Sequence, residues 1–469
     1  MPKYALTKLL LFFPISFLIG LAVFLISELA PGDRVNAYLD IFGSRSSEKS
    51  ELARVDYIKT AKLLNLEKPQ FYFSIVPNGY PENFSKIVIP IQKEMILSLL
   101  NENIDKIEAE ELIEKMFKYE NNVDSENKSS GDLYFKINNG LKEIYHSETR
   151  GEMIENIDVF LNDQSLSENN NDEITYLIKL LESLKNSGIE KSFSDKIPVI
   201  RYNGMENRFH IWFKKILHFD FGISYVDGRP VRKKIGEALP FTLIYVVLAY
   251  IFSLLISIPF ALYGNLKEKS ICYRIVNACL TLFYAMPLFW LATLAVIFLT
   301  SGEVFSFLNI FPSIGVGRII ADMSSFEKIR TAMPHLLLPA LILAFHSGSY
   351  LTMLISRSLK KEKENQYFKG LITRGIDYKN AVIKHAFPNS LLPLITAIVV
   401  GLPGSIAGSV VIEVIFNIPG MGRLLYNSLL KMDWNVVFAI VMIIGVLTYI
   451  FYIMGDLIYY WLNPKMKLN

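Results

Sequence analysis

At 469 residues the chain is 51% hydrophobic and only 20% charged, a balance too apolar for a soluble protein of that length. Its net charge of +3 is small, which excludes nucleic acid or an acidic surface as a partner held by bulk charge. Cys272 and Cys279 are the two cysteines, so there is no disulfide framework; with no other ligands beside them they read as buried core thiols.

Apolar runs of about 20 residues predict six membrane-crossing helices. They span approximately Leu6–Leu29, Phe241–Tyr263, Ile275–Thr300, His335–Ile355, Leu391–Phe416 and Val436–Leu462. The first run is longer than the roughly 7–15 apolar residues of a secretion signal, and Glu28-Leu29-Ala30 is a poor cleavage site, so an uncleaved anchor is expected.

A long polar stretch separates the first run from the second. Within it, Ile174, Leu177, Ile178, Leu181 and Leu184 form an apolar stripe, with Asp172 near its start and Gly188 past its end, as in a capped amphipathic helix. Ile104, Ile107, Leu112, Ile113, Met116 and Phe117 suggest another, whereas 121–131 and 165–171 are polar and read as loops. A small, mainly helical domain is the expectation; runs of Asn, Ser and Glu leave a disordered spacer as the alternative.

Lysine and arginine set the orientation. Lys3 and Lys8 precede the first run, and Lys267, Lys269 and Arg274 connect the second to the third. Arg357, Lys360, Lys361, Lys363, Lys369, Arg374, Lys379 and Lys384 lie between the fourth and fifth, and Lys465 and Lys467 follow the last. The alternate loops, Ser301–Pro334 and Asn417–Asn435, mix acids and bases evenly. All the basic loops fall on one side of a six-helix arrangement with both ends in the cytoplasm.

The basic loop at 356–390 is the most informative stretch. Tyr367, Phe368, Leu371 and Ile372 repeat at helical spacing, with Lys369 and Arg374 beside them, and Gly375 ends that helix. A second helix is expected from about Tyr378 to Leu392. A small amphipathic helix at the inner membrane face is a docking element for a soluble partner, and a motor is the partner expected, since nothing else in the chain supplies energy. There is no GxxxxGK[ST] to cradle nucleotide phosphates, no HExxH, no paired CxxC and no Gly-x-Ser-x-Gly. The six histidines are scattered; His335 and His346 sit on apolar helices, where packing or proximity to a solute is the reading rather than metal binding.

Charges and small residues inside the runs have two readings each. Glu413 is either satisfied by loop amides near the outer interface or is a gate contact. Asp456, near the inner end of the last run, pairs with a basic loop more readily than it relays protons. Gly404 and Gly408 form a GxxxG with Gly401 and Pro403 just before it, which lets another helix approach closely and is compatible with lining a pathway.

The loop Tyr367–Pro393 resembles the cytoplasmic signature loop of ABC-importer permeases of the dipeptide, oligopeptide and nickel branch. Gly375 and Leu392-Pro393 stand where that family has its signature glycine and Leu-Pro, although Lys369-Gly370-Leu371 replaces the Glu-Ala-Ala run. Ala30-Pro31-Gly32-Asp33, Leu64 to Pro69 and Phe219 to Ser224 are similar to the family's first external loop. Pro230-Val231, Ile235, Leu239-Pro240 and Thr242-Leu243 lead into the second run in the family manner. Phe311-Pro312-Ser313, His335 with Leu338-Pro339-Ala340, Val410 to Glu413, Pro419 to Arg423 and Asn463-Pro464-Lys465 continue the likeness. It covers 1–76 and 208–469 and leaves Pro77–Arg208, roughly 130 residues and domain-sized, without a counterpart.

The resemblance implies an all-α membrane protein of six transmembrane helices in the type I ABC-importer permease architecture, with an external, mainly helical insertion. Its parts would be residues 1–76, an extracytoplasmic domain at 77–208, and a five-helix permease domain at 209–469. It implies a subunit that is not an enzyme and holds no cofactor or metal of its own, ATP being used by partner ATPases. The partners implied are a second permease, two ATPases, an extracytoplasmic solute-binding protein and membrane lipid, with no nucleic acid. Tyr367, Phe368, Lys369, Gly370, Leu371, Ile372, Thr373 and Arg374 with Gly375 would be the ATPase contact, their apolar face seated in a cleft on the nucleotide-binding subunit. Gly401, Gly404, Gly408 and Glu413 would serve helix packing or the pathway. A secondary transporter should show buried ion ligands or inverted halves, and a sensor should carry a cytoplasmic output domain; the sequence offers little of either.

Overall fold

The computed structural model describes residues 2–42, 51–90, 150–162, 197–267, 270–300, 309–318, 323–408 and 410–462, with isolated positions between. Two compact units divide the chain, one of Met1–Pro31 with Phe219–Asn469 and the other of Gly32–His218. Helix α1 (Pro2–Leu29) opens the first unit as one uninterrupted apolar rod.

The second unit contains α2 (Arg34–Phe42), α3 (Glu51–Leu63), β1 (Phe73–Pro77), α4 (Arg150–Leu161), β2 (Pro198–Tyr202) and α5 (Arg208–Leu217). Asp33 starts α2, its carboxylate accepting from the amide of Val35 at 2.8 Å and from the Tyr57 hydroxyl of α3 at 3.0 Å. Burial and the Asp33 charge together hold the Tyr57 phenol well above its ordinary pKa. Val35, Leu39 and Ala61 seal the seam between the two helices. β1 and β2 pair antiparallel from Phe73 against Tyr202 to Pro77 against Pro198. Arg201 fixes the chain just beyond β1 by donating to the carbonyls of Asn78, Tyr80 and Pro81. Behind the strands, Phe71, Tyr72 and Phe213 surround the fully buried Phe209 ring.

The helix expected around Ile104–Phe117 and the loops at 121–131 and 165–171 lie outside the described residues. Of the stripe at 174–184, Ile178, Lys179, Leu181 and Glu182 are described; all are helical, and Leu181 is buried. Helix α4 was not foreseen. It buries Ile157 and Phe160, whose three-residue spacing from Ile154 carried the signal.

The first unit resumes with α6 (Val231–Leu266), α7 (Ile271–Ala285), α8 (Leu288–Leu299), α9 (Ser325–Glu364), α10 (Gln366–Thr373), α11 (Tyr378–Ala381), α12 (Phe387–Ser390), α13 (Leu392–Gly408), α14 (Val410–Ile415), α15 (Met421–Leu430) and α16 (Trp434–Leu462). Among the described residues five helices are long and apolar enough to cross a membrane, or six if α7 and α8 count as one broken span. The expected run Ile275–Thr300 is bent within its length: α7 and α8 meet at 107°. Pro287 is the cause, because the residue before a proline is pushed out of the helical region, and Met286 sits at φ −78°, ψ 135°. The expected Leu391–Phe416 run is helical over Leu392–Gly408 and Val410–Ile415, position 409 lying outside the described residues.

The central pair is α6 and α9, of 36 and 40 residues. At about 1.5 Å per residue, α9 is roughly 60 Å long, twice the apolar thickness of a bilayer. Ser324 and Glu327 cap its start reciprocally. Small residues let the two helices close: Gly348 faces the backbone of Ser253, whose hydroxyl donates to the Ala344 carbonyl at 3.1 Å. α1 packs on α16, with Phe12 against Tyr449 and Ile19 over Gly445, and α13 meets α16 where Val399 covers Gly455. Cys272 and Cys279, expected in a core, are both exposed on α7. The apolar face that they share with Ile271, Ile275 and Leu282 points away from the bundle, where hydrocarbon or another subunit can cover it.

Candidate functional site

Three clusters in the first unit bring together the residues singled out in the sequence. The first is the segment after α9. Helix α10 ends in a Schellman turn, with Gly375 at φ +83° donating its N–H to Ile372 and Ile376 donating to Leu371. Asp377 then caps α11, its carboxylate accepting from the Asn380 amide at 3.3 Å. Val382–Ala386 form a π turn, the Phe387 amide reaching the Val382 carbonyl, one residue before Pro388. The helix expected over 378–392 is present, carries this π turn and runs on toward Ser405 as one helical segment.

The apolar face expected on α10 divides in two. Phe368 is buried in this chain's own core with Ala261, Leu351, Ile355, Leu359, Ala381, Val382 and Leu394, its ring edge-on to Tyr378. It therefore anchors the segment rather than reaching a partner. Tyr367, Lys369, Ile372, Thr373 and Arg374 are exposed, while Gly370 and Leu371 are half-buried. Tyr367 donates to Glu362 at 2.7 Å and accepts from Asn389 at 3.3 Å, tying the end of α9 to α12. Partial burial and the Glu362 carboxylate push its phenol pKa upward.

The second cluster surrounds Glu413 at the turn from α14 to α15. This carboxylate is fully buried and accepts from Thr242 at 2.7 Å, Tyr245 at 3.1 Å and the Arg423 amide at 2.8 Å. Thr242 in turn accepts from the Met421 amide at 2.8 Å. Glu413 and Thr242 thus satisfy the free N–H groups opening α15, where the helix dipole favours negative charge. Gly420 lies directly against the carboxylate, leaving no room for a Cβ. A cavity of about 560 Å³ beside this turn is lined by Arg318, His335, Asn417 and Arg423, with His335 Nδ1 2.9 Å from the Ser313 carbonyl oxygen.

Sequence reasoning missed a companion to this lock. Asp433, fully buried before α16, accepts from the Ser224 hydroxyl and from the Tyr225 amide at 3.0 Å, with Lys234 Nζ 3.6 Å away. Lys234 also reaches Asp227 at 3.1 Å. Burial raises the Asp227 carboxyl, but hydrogen bonds from Lys234 and Ser224 outweigh it and leave the pKa below the ordinary value. The Phe219–Ser224 stretch is therefore the strap that grips the first turn of α16. Its signal was Asp433 itself, an acid at the edge of an apolar run.

The third cluster lies halfway along α9. A cavity of about 330 Å³ opens among Tyr250, Tyr284, Leu288, Leu343, His346, Ser347, Tyr350, Ala397, Gly401, Gly404, Ser405 and Ile412. Gly401 sits under the Tyr250 hydroxyl, which lies 3.0 Å from Ser405 Oγ. Gly404 has open space where a Cβ would be, so none of the described residues packs closely there. Gly408 ends α13. Asp456 is half-buried in α16.

The pattern of the family described as "Binding-protein-dependent transport system inner membrane component" matches residues 253–468. The chain is 30% identical over 257 residues to the oligopeptide transport system permease protein AppB of Bacillus subtilis (strain 168), covering 55% of this chain and 78% of that one. It is 26% identical over 303 residues to the putrescine export system permease protein SapB of Escherichia coli (strain K12), covering 62% and 94%. To the peptidoglycan transport system permease protein YejB of Agrobacterium fabrum it is 28% identical over 288 residues, covering 60% and 75%.

Proposed function

The chain belongs to the binding-protein-dependent transport system inner membrane component family, as a permease subunit of an ABC importer, and on that premise we propose that it carries peptides and is driven through Tyr367–Gly375. The family is one of transport permeases of the inner membrane. Peptides are the solute because relatives that match most of their length are named for oligopeptide and peptidoglycan transport. The pore is completed by a second permease, energy comes from two ATPase subunits that bind and hydrolyse ATP, and an extracytoplasmic binding protein delivers the solute. Both termini and the 356–390 loop face the cytoplasm, and 77–208 faces outward.

One observation carries the coupling. Helix α9 supplies Leu343, His346, Ser347 and Tyr350 to the membrane cavity and Ile355 and Leu359 to the core that holds Phe368. From Tyr350 to Leu359 is nine residues, or about 14 Å of continuous helix. A displacement of α10 by an ATPase pair is passed to the cavity by one rigid element. In this mechanism Phe368 is the anchor and Tyr367, Lys369, Ile372, Thr373 and Arg374 are the contacts.

The test is uptake of radiolabelled tri- to pentapeptides into proteoliposomes holding the full transporter, with ATP enclosed. ATP-dependent accumulation that requires the binding protein supports the reading. Accumulation of a diamine and no peptide overturns the solute, and normal uptake by Ile372→Asp overturns the contact surface.

A further inference from the structure

The membrane cavity has a composition that a neutral water-filled passage does not require. Among the described residues lining it there is no Asp, Glu, Lys or Arg. Instead Tyr284 stacks on Tyr350, with centroids 6.2 Å apart, and lies 6.1 Å from the His346 ring. The hydroxyls of Tyr284 and Tyr350 and the ring nitrogens of His346 have no hydrogen-bond partner among the described residues. Gly401 and Gly404 keep the facing wall on α13 low. The volume, about 330 Å³, lies at the small end of the range for ligand sites, roughly 300–1,000 Å³.

We propose that this cavity is a transit subsite for one uncharged residue of the solute, with the Tyr284–Tyr350 stack receiving an aromatic or apolar side chain and the free Tyr and His groups bonding the adjoining amide. The proposal deepens the peptide reading above and rests on it. Aromatic faces attract other rings through offset and edge-on contact. A peptide amide leaving water needs hydrogen-bond partners, and the open hydroxyls and imidazole supply them. A side-chain charge at this depth meets no counter-ion, which disfavours acidic and basic residues at the same point. The permease therefore selects among peptides after the binding protein has released them.

The experiment uses the reconstituted full transporter with its binding protein saturated in turn by Ala-Phe-Ala and by Ala-Asp-Ala, so that affinity for the binding protein drops out. The expected result is faster uptake of Ala-Phe-Ala. Replacing both tyrosines (Tyr284→Ala with Tyr350→Ala) should slow that peptide by about tenfold, in the range of hydrophobic-pocket discrimination, and leave Ala-Asp-Ala nearly unchanged. Tyr284→Phe with Tyr350→Phe, which keeps both rings, should retain the preference for the aromatic peptide. Equal rates in the unaltered transporter, or equal losses for both peptides in the double alanine variant, overturn the subsite and leave the peptide reading standing. Cross-linking of Ala-benzoylphenylalanine-Ala to the unaltered transporter checks the site independently of variant folding. Labels on the segments holding Tyr284, His346 and Tyr350 support it, and labels confined elsewhere overturn it. Failure of both tripeptides to enter the unaltered vesicles overturns the peptide reading itself.

Discussion

The Glu413 carboxylate accepts a 2.8 Å hydrogen bond from the backbone amide of Arg423, ten residues later in the chain. That bond makes a buried acid into the cap of a neighbouring helix. Glu413→Ala should remove the acceptor that the Thr242 and Tyr245 hydroxyls and the α15 amide share. The expected loss is about 3 kcal/mol or more, since each buried polar group left unpaired costs about 1–3 kcal/mol. Glu413→Gln keeps an acceptor and should lose less, and Gly420→Ala should resemble the alanine variant. Thermal unfolding of the purified chain in detergent, followed by circular dichroism, measures all three.

The inward and outward halves of α10 should separate cleanly on mutation. Phe368→Ala opens a hole in the core beneath α10 and should cost about 3–5 kcal/mol. Ile372→Asp changes an exposed position and should leave unfolding unchanged while abolishing ATPase co-purification. Equal co-purification of the ATPase with unaltered and Ile372→Asp chains would assign the contact to another face.

The strap around Asp433 should respond to acid. The Asp227 pKa lies below its unfolded value, so its contribution to stability is fully present above the usual Asp value of about 3.9 and is lost as pH falls through the depressed native value. Trp434, which donates to the Pro31 carbonyl at 2.8 Å, reports on this region. In a chain whose other tryptophans are phenylalanine, its emission should be constant from pH 7 to about 5 and shift below about 4. With Asp227→Asn, that part of the acid transition should disappear.

Orientation can be read by thiol labelling in intact cells, after Cys272→Ser and Cys279→Ser remove the two exposed native thiols. Tyr202→Cys, on an exposed strand position, should react with an impermeant maleimide, and Ser358→Cys should not. The reverse pattern would invert the topology.

The spans were legible because about 20 successive apolar residues have few other uses, and the end of α10 was legible because Gly375 supplies the left-handed turn. The kink at Pro287 was written in the dipeptide Met286-Pro287, though a hydropathy count passes over it. The fate of Phe368 was not legible. Tyr367, Phe368, Leu371 and Ile372 share one amphipathic pattern, and only the approach of Ala381 and Val382 decides which ring turns inward. The partners of Glu413 were hidden for a related reason: Thr242 lies 171 residues away, and no local period connects them. The strands β1 and β2 are five residues each and separated by the whole polar stretch, so neither carries a signal alone.

That pairing has a consequence for how such a chain could arise and be remade. Because Pro77 stands opposite Pro198, the stretch between them departs and returns at neighbouring points, with strand backbones only about 5 Å apart. A segment anchored in this way behaves as a cassette: its length can change without lengthening the gap that its ends must bridge. Arg201, clamping the carbonyls just past β1, serves as the clasp. The same junction offers an engineering port, where a compact reporter with adjacent termini can replace residues 82–197 while Arg201 and the carbonyls it clamps at Asn78, Tyr80 and Pro81 are retained.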